Sequence, residues 1–183
     1  MMRKCTTDNG RFGTMAGVSR RNGSAILEVL SPPRASVSPP LRQAASTILL
    51  RSNIIIFILS NDKDEFCARI LDVLEDYSNT FYISTFVLKE LILLYKEEKL
   101  KHLKYKSYKE IFDSVDDLGI KIISVQRSNL SAYAELIPVA DHKDPNDHLI
   151  IAQSISDNIP IISSDRKFKS YERQGLQLLF NKR

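Results

Sequence analysis

The stretch DPNDHLIIAQSISDNIPIISSD, residues 144–165, decides how this chain is expected to fold. Its first half predicts a helix, because Pro145 suits the first helical position and an apolar run follows it. Its second half contains IPIISS, an apolar run of the length of a buried strand. A helix that leads into a buried strand is typical of an α/β domain with a parallel sheet.

The chain repeats this alternation from residue 47 onward. Runs of strand length occur at TILL, TFYIS, IKIISV, IPIISS and LQLLF. Helical patterns occur at KDEFCARILDVLEDY, TFVLKELILLYKEE, YKEIFDSVDDLG and RSNLSAYAELI, the third of which stops at Gly119. The run NIIIFIL, residues 53–59, has the length of a strand or of a short helix. We expect an α/β fold with a central parallel β-sheet of about five strands flanked by helices.

Four charged residues stand where these patterns predict burial or the end of a strand. Arg51 follows the strand TILL, and Asp165 follows the strand IPIISS. Glu90 interrupts the apolar face of a helix, and Asp147 lies in the first turn of another. Because ligands of open parallel sheets collect beyond the carboxyl ends of the strands, we expect these side chains to meet there.

Each acid also has a purely structural interpretation. Asp144 is best explained as the cap of the helix that begins at Pro145, and Asp165 could cap a short helix. Glu90 could be a partly buried acid paired with a lysine. Together, however, Glu90, Asp147 and Asp165 predict a carboxylate cluster, which needs a cation because like charges repel. Oxygen ligands favour Mg²⁺ or Mn²⁺ over zinc, and such sites activate water against phosphodiesters.

Three quoted segments resemble one known family. HKDPNDHLIIAQS followed by IPIISSDRKF is similar to the C-terminal half of the PIN-domain family, and to VapC-type toxins in particular. ISTFVLKELILLY resembles the helix that carries a family glutamate. The resemblance covers the predicted domain, residues 47–183, and implies a PIN-like fold. It also implies a Mg²⁺- or Mn²⁺-dependent endoribonuclease acting on RNA, usually a homodimer and the toxin partner of a cognate antitoxin.

The same resemblance implies a set of site residues. By position, the catalytic and metal-binding acids are Glu90, Asp147 and Asp165. Asp144, Asn53 and Ser163 are implied as supporting residues.

Arg51 departs from the family pattern. The family's first motif is a strand followed by Asp-Thr-Asn, whereas here the strand is followed by Arg51, Ser52 and Asn53. An arginine could neutralise the acidic cluster and bind one carboxylate through two hydrogen bonds, so we expect impaired metal binding and impaired RNA cleavage. Two explanations stay open. A frameshift or cloning junction could have replaced the native start, which the abrupt loss of likeness favours, or arginine replaced aspartate in a degenerate homologue.

The N-terminal segment differs in composition from everything after it. Residues 1–46 are basic and rich in Pro, Gly and Ser, and we interpret them as a disordered extension that need not be native coding sequence. Residues 1–47 hold seven Lys or Arg against two acids, whereas the following residues hold 19 basic against 20 acidic residues, a net charge of −1. The overall charge of +4 is therefore no argument for nucleic-acid binding.

Limited proteolysis should trim this extension and leave a stable fragment that begins near Ala45. The physical reason is that its composition offers too little apolar surface to offset the entropy lost on ordering. An N-terminus that resists protease as well as the domain does would contradict the expectation.

Several other classes of protein are disfavoured. No apolar run reaches the roughly 18 residues of a membrane span, and SAILEVL is too short for a signal peptide, so we expect a cytoplasmic protein. Cys5 and Cys67 are too few for a disulfide framework. A nucleotide-binding α/β domain would need a glycine-rich phosphate loop, which the sequence lacks.

Two further questions stay open. The main alternative to a nuclease is a non-catalytic PIN-fold scaffold that binds an antitoxin-like partner or RNA, an interpretation that Arg51 supports. The lysine-rich stretch, residues 96–109, could contact RNA phosphates or form a solvated helical face.

Overall fold

The computed structural model describes residues 46–103, 105–139 and 142–182, which contain a five-stranded sheet. The strands are β1 (Thr47–Leu50), β2 (Thr80–Ser84), β3 (Lys121–Ile123), β4 (Ile161–Ser163) and β5 (Leu178–Phe180). Their spatial order is β3-β2-β1-β4-β5, and every neighbouring pair is parallel. The predicted α/β fold with a parallel sheet is therefore confirmed.

Six α-helices of the described residues connect and flank the strands. They are α1 (Ser52–Ser60), α2 (Ala68–Glu75), α3 (Thr85–Lys96), α4 (Tyr108–Asp117), α5 (Arg127–Glu135) and α6 (Pro145–Ser156). A 3₁₀ helix, Arg166–Gln174, links β4 to β5. The last four α-helices lie within the segments where the sequence predicts helices, and Gly119 follows α4 with a positive φ of 69°.

The undecided run NIIIFIL forms most of helix α1. The helix begins directly after β1, because the amides of Ile54 and Ile55 donate to the Arg51 carbonyl at 3.0 and 3.1 Å. Ile54, Ile55 and Ile58 are buried, which is the spacing of one helical face. Asn61 ends the helix in the left-handed conformation at φ 57°.

The predicted helix KDEFCARILDVLEDY is broken near its start. A 3₁₀ turn, Lys63–Glu65, is followed by extended backbone at Phe66 and Cys67, and α2 begins only after them. The Cys67 amide donates to the Asn181 side-chain oxygen at 2.9 Å, so this backbone donor is satisfied outside a helix. The helical prediction was therefore wrong for residues 63–67, where a distant partner overrides the local pattern.

The junction between β1 and β4 is the point where the strand order reverses. The chain passes from β1 to β2 and β3 on one side, whereas β4 and β5 lie on the other side. Leu50 pairs with Ile162, both are fully buried, and the Arg51 amide donates to the Ile162 carbonyl at 3.3 Å. Parallel α/β sheets bind ligands at such a crevice, so the residues that follow β1 and β4 are well placed to form a site.

Some sequence-based expectations fall outside the described residues. The extension predicted for residues 1–46 lies there except for Ser46, and so does Lys104 of the lysine-rich stretch. Among the described residues, no helix has the length and apolar character that crossing a membrane requires.

Candidate functional site

An arginine–aspartate pair lies at the point where the strand order reverses. Arg51 Nε donates to Asp147 Oδ1 at 3.0 Å, and Arg51 Nη2 donates to Oδ1 at 2.6 Å and to Oδ2 at 2.8 Å. The planar guanidinium therefore engages both carboxylate oxygens, which a lysine could not do in the same way. The two side chains are only 14% and 6% exposed, so solvent screens their attraction far less than it screens a surface pair.

Asp165 supplies a second carboxylate to the same guanidinium. Arg51 Nη1 lies 3.6 Å from Asp165 Oδ2. The other oxygen, Oδ1, accepts from the Lys167 amide at 2.9 Å and caps the 3₁₀ helix. The Asp165 amide donates to Oγ of the fully buried Ser163 at 3.1 Å. Asp165 is therefore both a helix cap and a member of the charged cluster, and Ser163 supports its turn.

The start of α6 explains how Asp147 comes to be buried. Asp144 Oδ1 accepts from the Asn146 amide at 2.9 Å, and Pro145 occupies the first helical turn. These two features set where the helix begins, and Asp147 then opens a buried stretch of eight residues. Asp144 itself is exposed and acts as a helix cap, the structural role that its sequence position favours.

His142 is a member of the cluster that sequence reasoning missed. Its Nε2 lies 2.9 Å from Asp147 Oδ2, and the residue is only 3% exposed. A carboxylate accepts hydrogen bonds, so we assign the proton to Nε2 and make it the donor. The available signal was that His142 opens the segment HKDPNDHLIIAQS, five residues before Asp147.

His148 holds His142 in place through the backbone. His148 Nε2 lies 2.9 Å from the His142 carbonyl oxygen, which can only accept, so His148 donates. The two imidazole rings also meet edge to face, with centroids 5.0 Å apart. His148 thus contributes to the site by fixing a neighbouring residue rather than by facing the acids.

Aromatic rings form a wall behind the charges. The Arg51 guanidinium carbon lies 5.0 Å from the centroid of the Phe168 ring, a cation–π distance. Phe168 and Tyr171 are fully buried and both pack against the His142 ring. This apolar backing removes water from one side of the cluster and so strengthens its charge interactions.

Two residues implied by the resemblance form no hydrogen bond or ion pair with this cluster among the described residues. Glu90 is half-buried in α3, and within the described residues its carboxylate has no ion-pair partner. Asn53 lies in α1, where its Oδ1 accepts from the adjacent Ile54 amide at 2.9 Å. The structure therefore brings together Arg51, Asp147 and Asp165, and adds His142.

Three side chains of the site carry ligand atoms suitable for a metal ion, but Arg51 already contacts two of these side chains. One ligand atom each from His142, Asp147 and Asp165 lies within 4.8 Å of the other two, which is compact enough for one cation. That positive charge is already provided by Arg51, which occupies both oxygens of Asp147. A metal ion would have to displace a guanidinium that makes three hydrogen bonds to that carboxylate.

Three solved structures resemble the chain in fold. The first, VapBC2 from Rickettsia felis bound to a DNA fragment from their promoter, is 22% identical with a TM-score of 0.51 and covers 74% of this chain and 99% of its own. VapBC-1 from nontypeable Haemophilus influenzae is 17% identical with a TM-score of 0.50, and covers 73% of this chain and 97% of its own. DNA-bound VapBC from Salmonella typhimurium is 18% identical with a TM-score of 0.50. The match covers 73% of this chain and 96% of the Salmonella chain.

A comparison at the level of sequence assigns the family. No curated protein resembles the chain closely enough to count as a relative. The sequence model of the PIN domain, in contrast, matches residues 48–174, which is more than half of the chain and includes Arg51, Asp147 and Asp165. The chain therefore belongs to the PIN domain family.

Proposed function

We propose that this PIN domain is a VapC-like nuclease whose metal-dependent cleavage of RNA is impaired because Arg51 occupies the cation position. The observation that carries the proposal is the guanidinium of Arg51, which is bound to both oxygens of Asp147 and lies 3.6 Å from Asp165. In the family site that the resemblance implies, an aspartate would stand at position 51, and a bound Mg²⁺ or Mn²⁺ would act as a Lewis acid and activate water.

The charge balance favours the arginine over a metal ion. Replacing an aspartate by arginine changes the local charge by two, and each unit-charge pair at about 4 Å is worth roughly 4 kcal/mol at an effective dielectric near 20. Arg51 is covalently tethered, so it meets Asp147 and Asp165 without a concentration-dependent binding step. The charges of the remaining carboxylates are therefore balanced without a metal ion. The fold can persist although metal-dependent cleavage of RNA is impaired.

The roles of individual residues follow from this proposal. With aspartate at position 51, Glu90, Asp147 and Asp165 would be the acids that hold Mg²⁺ or Mn²⁺. Ser163 supports the turn that carries Asp165. Asp144 sets the start of the helix that carries Asp147, and Asn53 lies in the first turn of α1, two residues after Arg51.

RNA is the proposed substrate, and exposed cations beside the site support it. Arg166, Lys167 and Arg173 are exposed on the 3₁₀ helix that follows Asp165, and none is ion-paired within the described residues. In the lysine-rich stretch, by contrast, Lys99 pairs with Glu97 at 2.7 Å and Lys101 with Glu98 at 2.6 Å. Unpaired cations next to the carboxylates are better placed to contact phosphates than these locally neutralised lysines.

The double substitution Arg166→Glu with Lys167→Glu should weaken binding of single-stranded RNA. It should also reduce the slope of log affinity against log salt by about 1.4, because two phosphate contacts are lost. Fluorescence anisotropy between about 50 and 200 mM salt measures both quantities. The matched control is Lys99→Glu with Lys101→Glu, which makes the same charge change elsewhere. An equal loss in the control would contradict an RNA path beside Asp165.

We also propose a cognate antitoxin and a second copy of the chain as protein partners, and the cytoplasm as location. The antitoxin is supported by the resemblance to VapC-type toxins and by the VapBC names of the three similar structures. The folded unit is proposed to be residues 47–183.

A non-catalytic scaffold that binds an antitoxin-like partner or RNA is the second candidate function. The paired state of Arg51 favours it, because a scaffold needs the fold and not the metal. The two candidates differ in one outcome: changing Arg51→Asp together with Ser52→Thr should create EDTA-sensitive RNA cleavage only if the rest of the site is catalytic.

A further inference from the structure

His142 makes one side-chain hydrogen bond among the described residues, and that bond goes to Asp147. Its Nε2 lies 2.9 Å from Asp147 Oδ2. Its other ring nitrogen, Nδ1, is buried and has no hydrogen-bond partner in the part of the chain that the structure describes. An unpaired buried polar atom costs free energy that a phenyl ring at the same place would avoid. The polar function of the side chain is therefore concentrated on the Asp147 carboxylate.

His142 and Asp147 lie in one short segment, which is held by further hydrogen bonds of its own. His148 Nε2 donates to the His142 carbonyl at 2.9 Å, and the His142 amide donates to the Val139 carbonyl at 2.9 Å. His142, Asp147 and His148 lie within residues 142–148, and none of these three bonds involves Arg51. The donor that faces Asp147 is thus held by contacts that do not depend on which cation the carboxylate meets.

Asp147 Oδ2 accepts two hydrogen bonds, one from Arg51 and one from His142. Arg51 Nη2 lies 2.8 Å away and His142 Nε2 lies 2.9 Å away. Two separate donors on one oxygen restrict rotation of the carboxylate, and hydrogen bonds to a charged group are roughly twice as strong as those between neutral groups. Outer partners of this kind orient ligands in metal sites as well.

We propose that His142 is a positioning residue, which holds Asp147 Oδ2 through its Nε2–H and thereby aims the carboxylate at the cation in front of it. In this chain that cation is the Arg51 guanidinium. The inference goes beyond the proposed function, and it rests on that function only where a metal ion is concerned.

The Arg51 Nε–H group offers a direct readout, because it donates to Asp147 Oδ1 at 3.0 Å. Its proton–nitrogen NMR signal can be assigned by its loss in Arg51→Lys, and its rate of exchange with water reports how often the pair opens. His142→Phe keeps an aromatic ring against Phe168 and Tyr171 but removes the donor, so exchange should become about tenfold faster. His142→Gln keeps an N–H group at the Nε2 position, so exchange should stay close to that of the unchanged chain.

His142→Asn is the matched control for His142→Gln. The asparagine side chain is too short to reach Asp147 Oδ2, so the Arg51 Nε–H group should exchange as fast as it does in His142→Phe. If His142→Phe does not fold, the comparison of His142→Gln with His142→Asn still decides. Equal exchange rates in folded His142→Gln and His142→Asn would overturn the proposal, because they would show that only packing matters.

A second arm separates this inference from the proposed function. In the protein with Arg51→Asp and Ser52→Thr, Mn²⁺ affinity measured by calorimetry should fall about 10–100-fold on His142→Phe and recover on His142→Gln. If neither substitution of His142 alters the Mn²⁺ affinity, the positioning role is overturned while the proposed function stays intact. Complete absence of Mn²⁺ binding would contradict the proposed function, and the Arg51 exchange rates would still decide the role of His142.

Discussion

Replacing Arg51 by alanine should lower the free energy of unfolding by about 3–5 kcal/mol, because it leaves the buried Asp147 carboxylate without its cation. Asp147 is only 4% exposed, so water cannot take over the lost interactions. Urea unfolding followed by circular dichroism measures the change. Asp165 also loses its nearby cation, since Arg51 Nη1 lies 3.6 Å from Asp165 Oδ2.

Two further variants show whether the loss comes from the buried charge. Arg51→Ala combined with Asp147→Asn removes that charge and should recover part of the lost stability. Lys63→Ala is the matched control, because Lys63 pairs with Glu75 at 3.6 Å with both side chains at least 40% exposed. This control should cost no more than about 1 kcal/mol. If Arg51→Ala costs as little as Lys63→Ala, the guanidinium does not hold the site together.

Most of the sheet could be predicted from sequence, because its strands are short apolar runs separated by helical patterns and turn residues. TFYIS coincides with β2, and IPIISS contains the shorter strand β4. The run that forms α1 could not be assigned, since positions 54–59 are all apolar and carry neither a two-residue nor a 3.6-residue period. The extended backbone at Cys67 depends on Asn181, which lies 114 residues later in the chain.

The site was only partly predictable for a similar reason. Arg51, Asp147 and Asp165 follow strand ends or open a helix, so topology alone places them at one edge of the sheet. His142 lies in a loop without periodicity, and its bond to Asp147 depends on His148 turning back to hold its carbonyl. The apolar surroundings of Glu90 predict a place in the cluster. Among the described residues, the three whose ligand atoms lie within 4.8 Å of one another are His142, Asp147 and Asp165.

Changing Arg51→Asp together with Ser52→Thr should produce metal-dependent RNA cleavage at least about 100-fold above that of the unchanged chain. The physical reason is that the change removes the tethered cation and supplies a further carboxylate beside Asp147 and Asp165. Cleavage of a mixed RNA substrate at matched protein concentration, with and without EDTA, measures the gain. Further change of Glu90, Asp147 or Asp165 to alanine in that protein should abolish it.

Two outcomes of this assay would contradict the proposal in different ways. Equal EDTA-sensitive cleavage by both proteins would show that Arg51 does not block the reaction. Absence of cleavage by a folded Arg51→Asp, Ser52→Thr protein would favour the non-catalytic scaffold.

The most direct test is a calorimetric titration of Mn²⁺ into two proteins, the chain with Arg51 and the chain with Arg51→Asp and Ser52→Thr. If the Arg51 guanidinium occupies the cation position, the unchanged chain should show no saturable Mn²⁺ binding, whereas the changed chain should bind and gain thermal stability as Mn²⁺ is added. Saturable binding of Mn²⁺ to the unchanged chain with equal affinity would contradict this, because a metal ion and the guanidinium cannot both occupy the two oxygens of Asp147.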